Sequence, residues 1–198
     1  PMELPFCEAC ERNKESILYI LKESFSDCTE VLEIGSGTGQ HAVHFGTHLP
    51  HVTWQPTELP EYLEWLQVRL DREAPENVKN PLLLDVFKED WNCGPVDAVF
   101  MANTLHIMSW KAVYAAFVGI GRVLRTPGLL CVYGPFNYQG QYTSQSNAAY
   151  DRYLKASVPL GGIRDFESVN ELAVQQGLAL IGDHDMPANN RILMWKRE

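Results

Sequence analysis

Val31-Leu32-Glu33-Ile34-Gly35-Ser36-Gly37-Thr38-Gly39-Gln40-His41 is the stretch whose reading decides the fold of this chain. A short apolar, β-branched run meets three alternating glycines and then a segment with helical spacing. That order is strand, tight turn, helix, and glycine suits the turn because it tolerates positive φ and lets a ligand approach the backbone. A dinucleotide fingerprint would need a third glycine where Gln40 stands. The pattern present is instead Glu33-x-Gly35-x-Gly37-x-Gly39.

Outward from this stretch, strands and helices alternate. Ile17, Leu18, Leu21 and Phe25 share one face of an expected helix over 12–26. After the first strand, Ala42, Phe45 and Leu49 form the apolar stripe of a helix over 40–49. Strands are expected at 52–57, 82–84, 96–101 and 129–133, with helices at 60–74 and 110–125. Thr126-Pro127-Gly128 reads as the stop of the latter. Residues 137–149 carry no charge and are too long for a minimal connection, as in a functional lid or a disordered excursion. A short helix near 148–157, a Gly161-Gly162 break and a helix over 166–176 follow. The last strands, 179–184 and 192–196, are joined too tightly for a crossover and must be antiparallel. The expectation is an α/β, Rossmann-like, seven-stranded, mostly parallel sheet with a C-terminal antiparallel hairpin and helices on both faces. It forms a single domain over 1–198, with 137–161 as a lid-like insertion.

The 198 residues are 45% hydrophobic and 21% charged, with a formal net charge of −9 and no Lys/Arg cluster. A DNA partner is therefore not expected, since phosphate binding rests on basic surface. No apolar run is long enough for a membrane span. Five scattered cysteines, an odd number, suit a reducing cytoplasm. Cys7-x-x-Cys10 has no second Cys/His pair at zinc spacing and reads as two free thiols. His41, His44 and His48 line one helical flank without a completing carboxylate, so a solvated flank and no metal are expected. Pro1 ahead of Met2 reads as a processing scar.

The glycine pattern resembles the first motif of class I S-adenosylmethionine (SAM) dependent methyltransferases. More narrowly, seven strings resemble a small methyltransferase-like family known only as a domain of unknown function. They are Ala9-Cys10-Glu11-Arg12-Asn13, Gly35 to Ala42, Trp54-Gln55-Pro56-Thr57-Glu58, Leu84-Asp85-Val86, Asn103-Thr104-Leu105-His106-Ile107, Gly162-Ile163-Arg164-Asp165 and Met186-Pro187-Ala188-Asn189-Asn190. Two positions depart from that family's pattern. Glu58 stands where Asp is common, which keeps the charge, and Ser109 where Pro is common, at a helix start.

The resemblance implies SAM as cofactor and S-adenosylhomocysteine as product. Gly35, Gly37, Gly39 and Gln40 would form the loop, and Glu33 would bond loop N–H groups or the cofactor ammonium. Glu58 would accept from the ribose hydroxyls. Asp85 would accept from the adenine amino group, the Val86 N–H would donate to a ring nitrogen, and Asn103 would complete the cofactor side. Arg12 and Asn13 would clamp the cofactor carboxylate or the substrate, with an exposed helix start as the equal alternative. Tyr138, Tyr142 and Asn147 would line the lid, with Asn189 in the hairpin turn. Arg164 would grip a carboxylate or phosphate, while Asp165 would cap the next helix. His106, just after the fourth strand, is the candidate base, with a structural imidazole bonding a loop carbonyl as the rival.

The function expected is methyl transfer to a small polar acceptor. A non-catalytic SAM-binding regulator or scaffold, and a protein or RNA methyltransferase, are the alternatives.

Overall fold

A computed structural model describes residues 3–198 of the chain; Pro1 and Met2, and with them the expected processing scar, lie outside the described residues. The chain forms two compact units, one running through Asp85 and taking in Val96–Phe100, the other made of Val86–Pro95 and Met101–Glu198.

The first unit opens with helix α1 (Glu8–Ser24), strand β1 (Glu30–Glu33) and helix α2 (Gln40–His48). It continues through β2 (Thr53–Gln55), β3 (Thr57–Glu58), α3 (Pro60–Glu73) and β4 (Leu82–Leu83). Ile17, Leu18, Leu21 and Phe25 are buried together, as their spacing requires, and so are Ala42, Phe45 and Leu49. Strand β5 (Val96–Ala102) pairs in parallel with β1, Val31 facing Ala98, while Val31 faces Trp54 across the other edge. Three aromatic rings fill the space beside this ladder. Phe45 lies 5.7 Å from Trp54 and 5.5 Å from Phe100, centroid to centroid, and all three are fully buried. Asp97 fixes the start of β1 by accepting from the Thr29 N–H, the Thr29 hydroxyl and the Glu30 N–H, each within 2.8 Å.

The second unit continues with α4 (Trp110–Val123), β6 (Leu124–Gly134), β7 (Phe136–Asn137) and α5 (Gln145–Ser157). It closes with β8 (Arg164–Asp165), α6 (Phe166–Gln175), β9 (Ala179–Met186), a short 3-10 turn at Pro187–Asn189, and β10 (Asn190–Arg197). Val113, Phe117 and Ile120 bury one face of α4, and Gly119 on it admits the Trp91 ring. A Cβ at Gly119 would come within 1.9 Å of that ring. Strands β9 and β10 form the expected antiparallel hairpin, and β10 also pairs antiparallel with β6.

The main sheet runs β2-β1-β5-β6-β10-β9 and holds six strands rather than seven. The expected third strand contributes only β4, which pairs with β3 in a separate two-stranded ladder, Thr57 facing Leu82. Pro56 is the reason. It has no N–H to donate to a ladder, so the run 52–57 is cut into β2 and β3. Its carbonyl still accepts the Leu82 N–H at 3.1 Å.

Boundaries also move. Helix α1 begins at Glu8, four residues before the expected start. The helix expected to reach 125 stops at Val123, and Thr126-Pro127-Gly128 belongs to β6, where Gly128 pairs with Arg197. Helix α5 begins at Gln145, three residues before the expected start, because the Ser144 hydroxyl caps it by accepting the Asn147 N–H at 3.0 Å.

Candidate functional site

In the first unit the glycine loop is built from backbone conformations that side chains resist. Gly35, Gly37 and Gly39 have φ of 76°, 56° and 84°, three left-handed residues within five. Their surroundings differ. A Cβ at Gly39 would meet Leu66 Cδ1 at 2.9 Å, so that glycine serves the packing of the loop on α3. A Cβ at Gly37 would meet nothing within 4 Å. The open side of the loop is therefore at Gly37.

Neighbouring polar groups hold the loop in place. The Ser36 N–H donates to the Thr57 carbonyl at 2.8 Å, and the Thr57 N–H returns a bond to Ser36 Oγ at 3.1 Å. The Thr57 hydroxyl donates to the Glu33 carbonyl at 2.7 Å. Glu58 accepts the Gly37 N–H at 2.7 Å on one oxygen and the Leu59 N–H at 2.8 Å on the other. Burial raises the Glu58 pKa, with the two N–H bonds opposing the rise.

Glu33 is almost wholly enclosed, 1% exposed. It accepts the Ser36 hydroxyl at 2.7 Å and the Trp54 indole N–H at 3.1 Å, groups different from the loop N–H donors expected of it. Burial pushes its carboxyl up to about 7, against the pull of Ser36 and Trp54 and with help from the Glu58 charge. A buried acid at that value gains from a cation placed beside it.

Of the remaining residues expected on the cofactor side, Gln40 and Asn13 have partners within the protein. The Gln40 amide binds the N-terminal segment: its Oε1 accepts the Cys7 N–H at 2.7 Å and the Thr38 hydroxyl at 2.8 Å. Its Nε2 donates to Glu11 at 2.8 Å and to the Cys7 carbonyl at 3.2 Å. Asn13 is buried with its Oδ1 2.7 Å from His41 Nε2, while Arg12 is exposed on α1. Asp85 and Val86 follow β4 in a half-buried turn.

The histidine flank departs from expectation at two positions. The His44 side chain is 12% exposed and its Nε2 lies 2.9 Å from Glu15. His41 is buried rather than solvated, stacked on Phe45 at 5.0 Å, and burial lowers its pKa to about 4, His44 adding to the effect. Cys7 and Cys10, expected as free thiols, are disulfide-bonded. Cys7 caps α1 and Cys10 lies in its first turn, which brings their Cα atoms to 5.3 Å, within disulfide reach.

In the second unit, Asn103 ends β5 in a left-handed conformation, φ 54°, with its N–H on the Tyr133 carbonyl at 2.9 Å. The turn that follows carries His106, 4% exposed. Its Nε2 lies 3.2 Å from the Tyr150 hydroxyl of α5, not on a loop carbonyl. Burial, then the Arg164 charge, lowers the imidazole pKa to about 4. At neutral pH the ring is uncharged and one nitrogen carries a lone pair.

Arg164, expected to grip an anion, is half-buried and bonded to backbone carbonyls. Its Nε donates to the Leu105 carbonyl at 3.3 Å, and its Nη2 to the Met108 carbonyl and, at 2.9 Å, to that of Leu160. The guanidinium staples the turn that carries His106. Asp165 occupies the cap position of α6 without a side-chain cap bond.

The expected lid residues are braced as well. Tyr138 donates to Asp183 at 2.8 Å and stacks on Phe166 at 5.3 Å. Asn147 Nδ2 donates to the Asn189 carbonyl at 3.1 Å, and Asn189 Nδ2 returns a bond to Ser146 Oγ at 3.1 Å. Tyr142 donates to Asp151, which also accepts Lys155 Nζ at 2.9 Å and the Ile163 N–H at 2.9 Å. Burial opposes the Asp151 charge, and these three donors outweigh it and hold its pKa below the ordinary value. Sequence reasoning passed over Asp151 and Tyr150. A signal for the first was available: Asn147, Asp151 and Leu154 fall on one face of a helix, so a carboxylate there is buried and must be paired.

Solved structures share this arrangement of strands and helices. An O-methyltransferase family protein from Burkholderia thailandensis superposes with a TM-score of 0.82 over 93% of this chain and 56% of its own, at 14% identity. Human N-acetylserotonin methyltransferase in complex with SAM gives 0.80 over 96% and 53%, at 17% identity. PigF with S-adenosylhomocysteine gives 0.77 over 92% and 61%, at 16% identity. The chain spans about half the length of such proteins. The chain shares the fold of these proteins. Residues 4–197 match the family described as "Protein of unknown function (DUF938)", and the chain belongs to that family.

Proposed function

We propose that this protein is a SAM-dependent methyltransferase that acts on a small polar acceptor. One observation carries the reading: the left-handed glycine loop opens at Gly37 and is flanked by the buried carboxyls of Glu33 and Glu58. A ligand with a cation at one end and vicinal hydroxyls further along suits such a cradle. Glu33 would pair with the ammonium, Glu58 with the ribose hydroxyls, and Asp85, Val86 and Asn103 with the remaining cofactor atoms. SAM, when bound, supplies a methyl group on a sulfonium.

Neutral His106 would take the proton of an acceptor that stays protonated at pH 7, such as an alcohol or phenol. Its partner Tyr150 and the staple Arg164 hold the imidazole in one orientation. Solved relatives named as O-methyltransferases support an oxygen acceptor. A net charge of −9 argues against a nucleic-acid substrate. No helix among the described residues is long and apolar enough to cross a membrane.

Titration calorimetry with SAM and with S-adenosylhomocysteine tests the reading; heat equal to that of buffer refutes it. A SAM-binding regulator without turnover is the second reading, favoured by the internal bonds of Arg164, Tyr138, Tyr142 and Asn147. Binding without methyl transfer to any member of a metabolite pool would select it. On the first reading, residues 137–161 act as a lid, and hydrogen exchange there slows when cofactor and acceptor are both added. Equal exchange with and without ligands refutes the lid.

A further inference from the structure

The cysteine pair that opens α1 is wired to the glycine loop. Cys7 Sγ accepts the Cys10 N–H at 3.1 Å as the helix cap. The main-chain N–H and C=O of Cys7 are both held by the Gln40 amide. That amide also takes the Thr38 hydroxyl, and Gln40 directly follows Gly39. One side chain therefore joins the sulfur pair to the loop.

We propose that Cys7 and Cys10 form a reversible redox site, oxidised by a small disulfide and reduced by the matching thiol, whose state sets how firmly Gln40 holds the cofactor loop. In the oxidising direction a thiolate of the pair attacks a sulfur of the external disulfide and expels one external thiolate. The second protein thiolate then attacks the protein sulfur of the mixed disulfide and expels the other. The two protein thiols lose two electrons and two protons, and the external disulfide leaves as two thiols.

Several features make this pair the reactive one. Both cysteines are half-exposed, and Cys7 stands at a helix N-terminus, where the backbone dipoles favour a thiolate. Glu8 and Glu11 in the same turn oppose that effect, although Glu11 is paired with Lys14 at 2.7 Å. The other thiols are held protonated. Burial pushes Cys28 up to about 11 and raises Cys93, and Cys131 is raised by complete enclosure. With the bond closed, Cys7 is fixed in the position that Gln40 binds. Opening it frees the cap residue and loosens that grip.

The coupling to cofactor affinity rests on the proposed methyltransferase reading; the redox chemistry does not. The test equilibrates the full chain in buffers of stepped oxidised-to-reduced glutathione ratio, followed by alkylation and peptide mass spectrometry. Hydrogen exchange of the 34–43 segment without cofactor and SAM titration are run on both end states. Expected are loss of two alkylation sites in the Cys7/Cys10 peptide alone and slower exchange at 34–43 in the oxidised protein. SAM should bind about fivefold more weakly after reduction, the factor of one hydrogen bond of ordinary net strength.

Cys10→Ser and Cys7→Ser should lose all dependence on the ratio, and serine at position 7 keeps a side-chain cap so that the fold survives. Failure of the pair to form at any ratio overturns the proposal. So does equal loop exchange, or equal non-zero SAM affinity, in the two states. If neither state binds SAM while pairing and exchange respond, the methyltransferase reading falls and the redox site stands.

Discussion

Replacing Glu33 by Gln should stabilise the protein in alkali while weakening its hold on SAM. The carboxyl titrates near 4.5 when unperturbed and is pushed up to about 7 in the fold, chiefly by burial. Between those values the folded chain binds more protons than the unfolded one. Stability from this group is therefore complete below about pH 4.5, declines as the pH rises, and is lost above about 7. The gap corresponds to about 3 kcal/mol at pH 8.5, at about 1.4 kcal/mol per tenfold change in proton affinity. Gln is neutral at every pH, and its Oε1 can keep the bonds from the Ser36 hydroxyl and the Trp54 indole.

Urea unfolding of both proteins at pH 5 and pH 8.5 measures the effect. The variant should gain about 2.5 kcal/mol on wild type between the two conditions, because part of the loss has already occurred at pH 5. SAM, whose ammonium would repay the buried charge, should bind the variant at least tenfold more weakly at pH 8.5. A stability difference between variant and wild type that is the same at both pH values would refute the argument, because Glu33 would then not titrate in that window.

Gly37→Val should eliminate SAM binding in calorimetry, since its side chain enters the open side of the loop; it also costs about 1–2 kcal/mol in thermal unfolding from the left-handed φ. His106→Gln should lower turnover by roughly two to four decades with little change in SAM affinity. Because its pKa is depressed to about 4, the acid limb of the wild-type rate should lie below pH 6 and vanish in the variant, as a pH–rate profile will read. Asp151→Ala leaves the buried Ile163 N–H without its acceptor and should cost about 2–4 kcal/mol in urea unfolding, with faster exchange across 142–163.

The parts of this protein legible in the sequence are those whose cause is local. Helical stripes such as Ile17, Leu18 and Leu21 are legible because 3.6-residue periodicity needs only neighbours along the chain. Gly35, Gly37 and Gly39 announce left-handed turns because only the residue's own Cβ is at issue. Tertiary structure decided what depends on a distant partner. The strand count turned on whether residues 82–84 could continue a ladder that Pro56 interrupts.

Gln40, Arg164 and Asn147 are chemically able to hold a ligand, and nothing in their spacing reveals that Cys7, Leu105 and Asn189 already engage them. The same holds for the two buried acid–base groups. Glu33 and His106 have ordinary intrinsic proton affinities, and enclosure by residues far along the chain moves one up to about 7 and the other down to about 4. Residue type sets which chemistry is available at a position, and desolvation with three-dimensional pairing sets whether it is exercised.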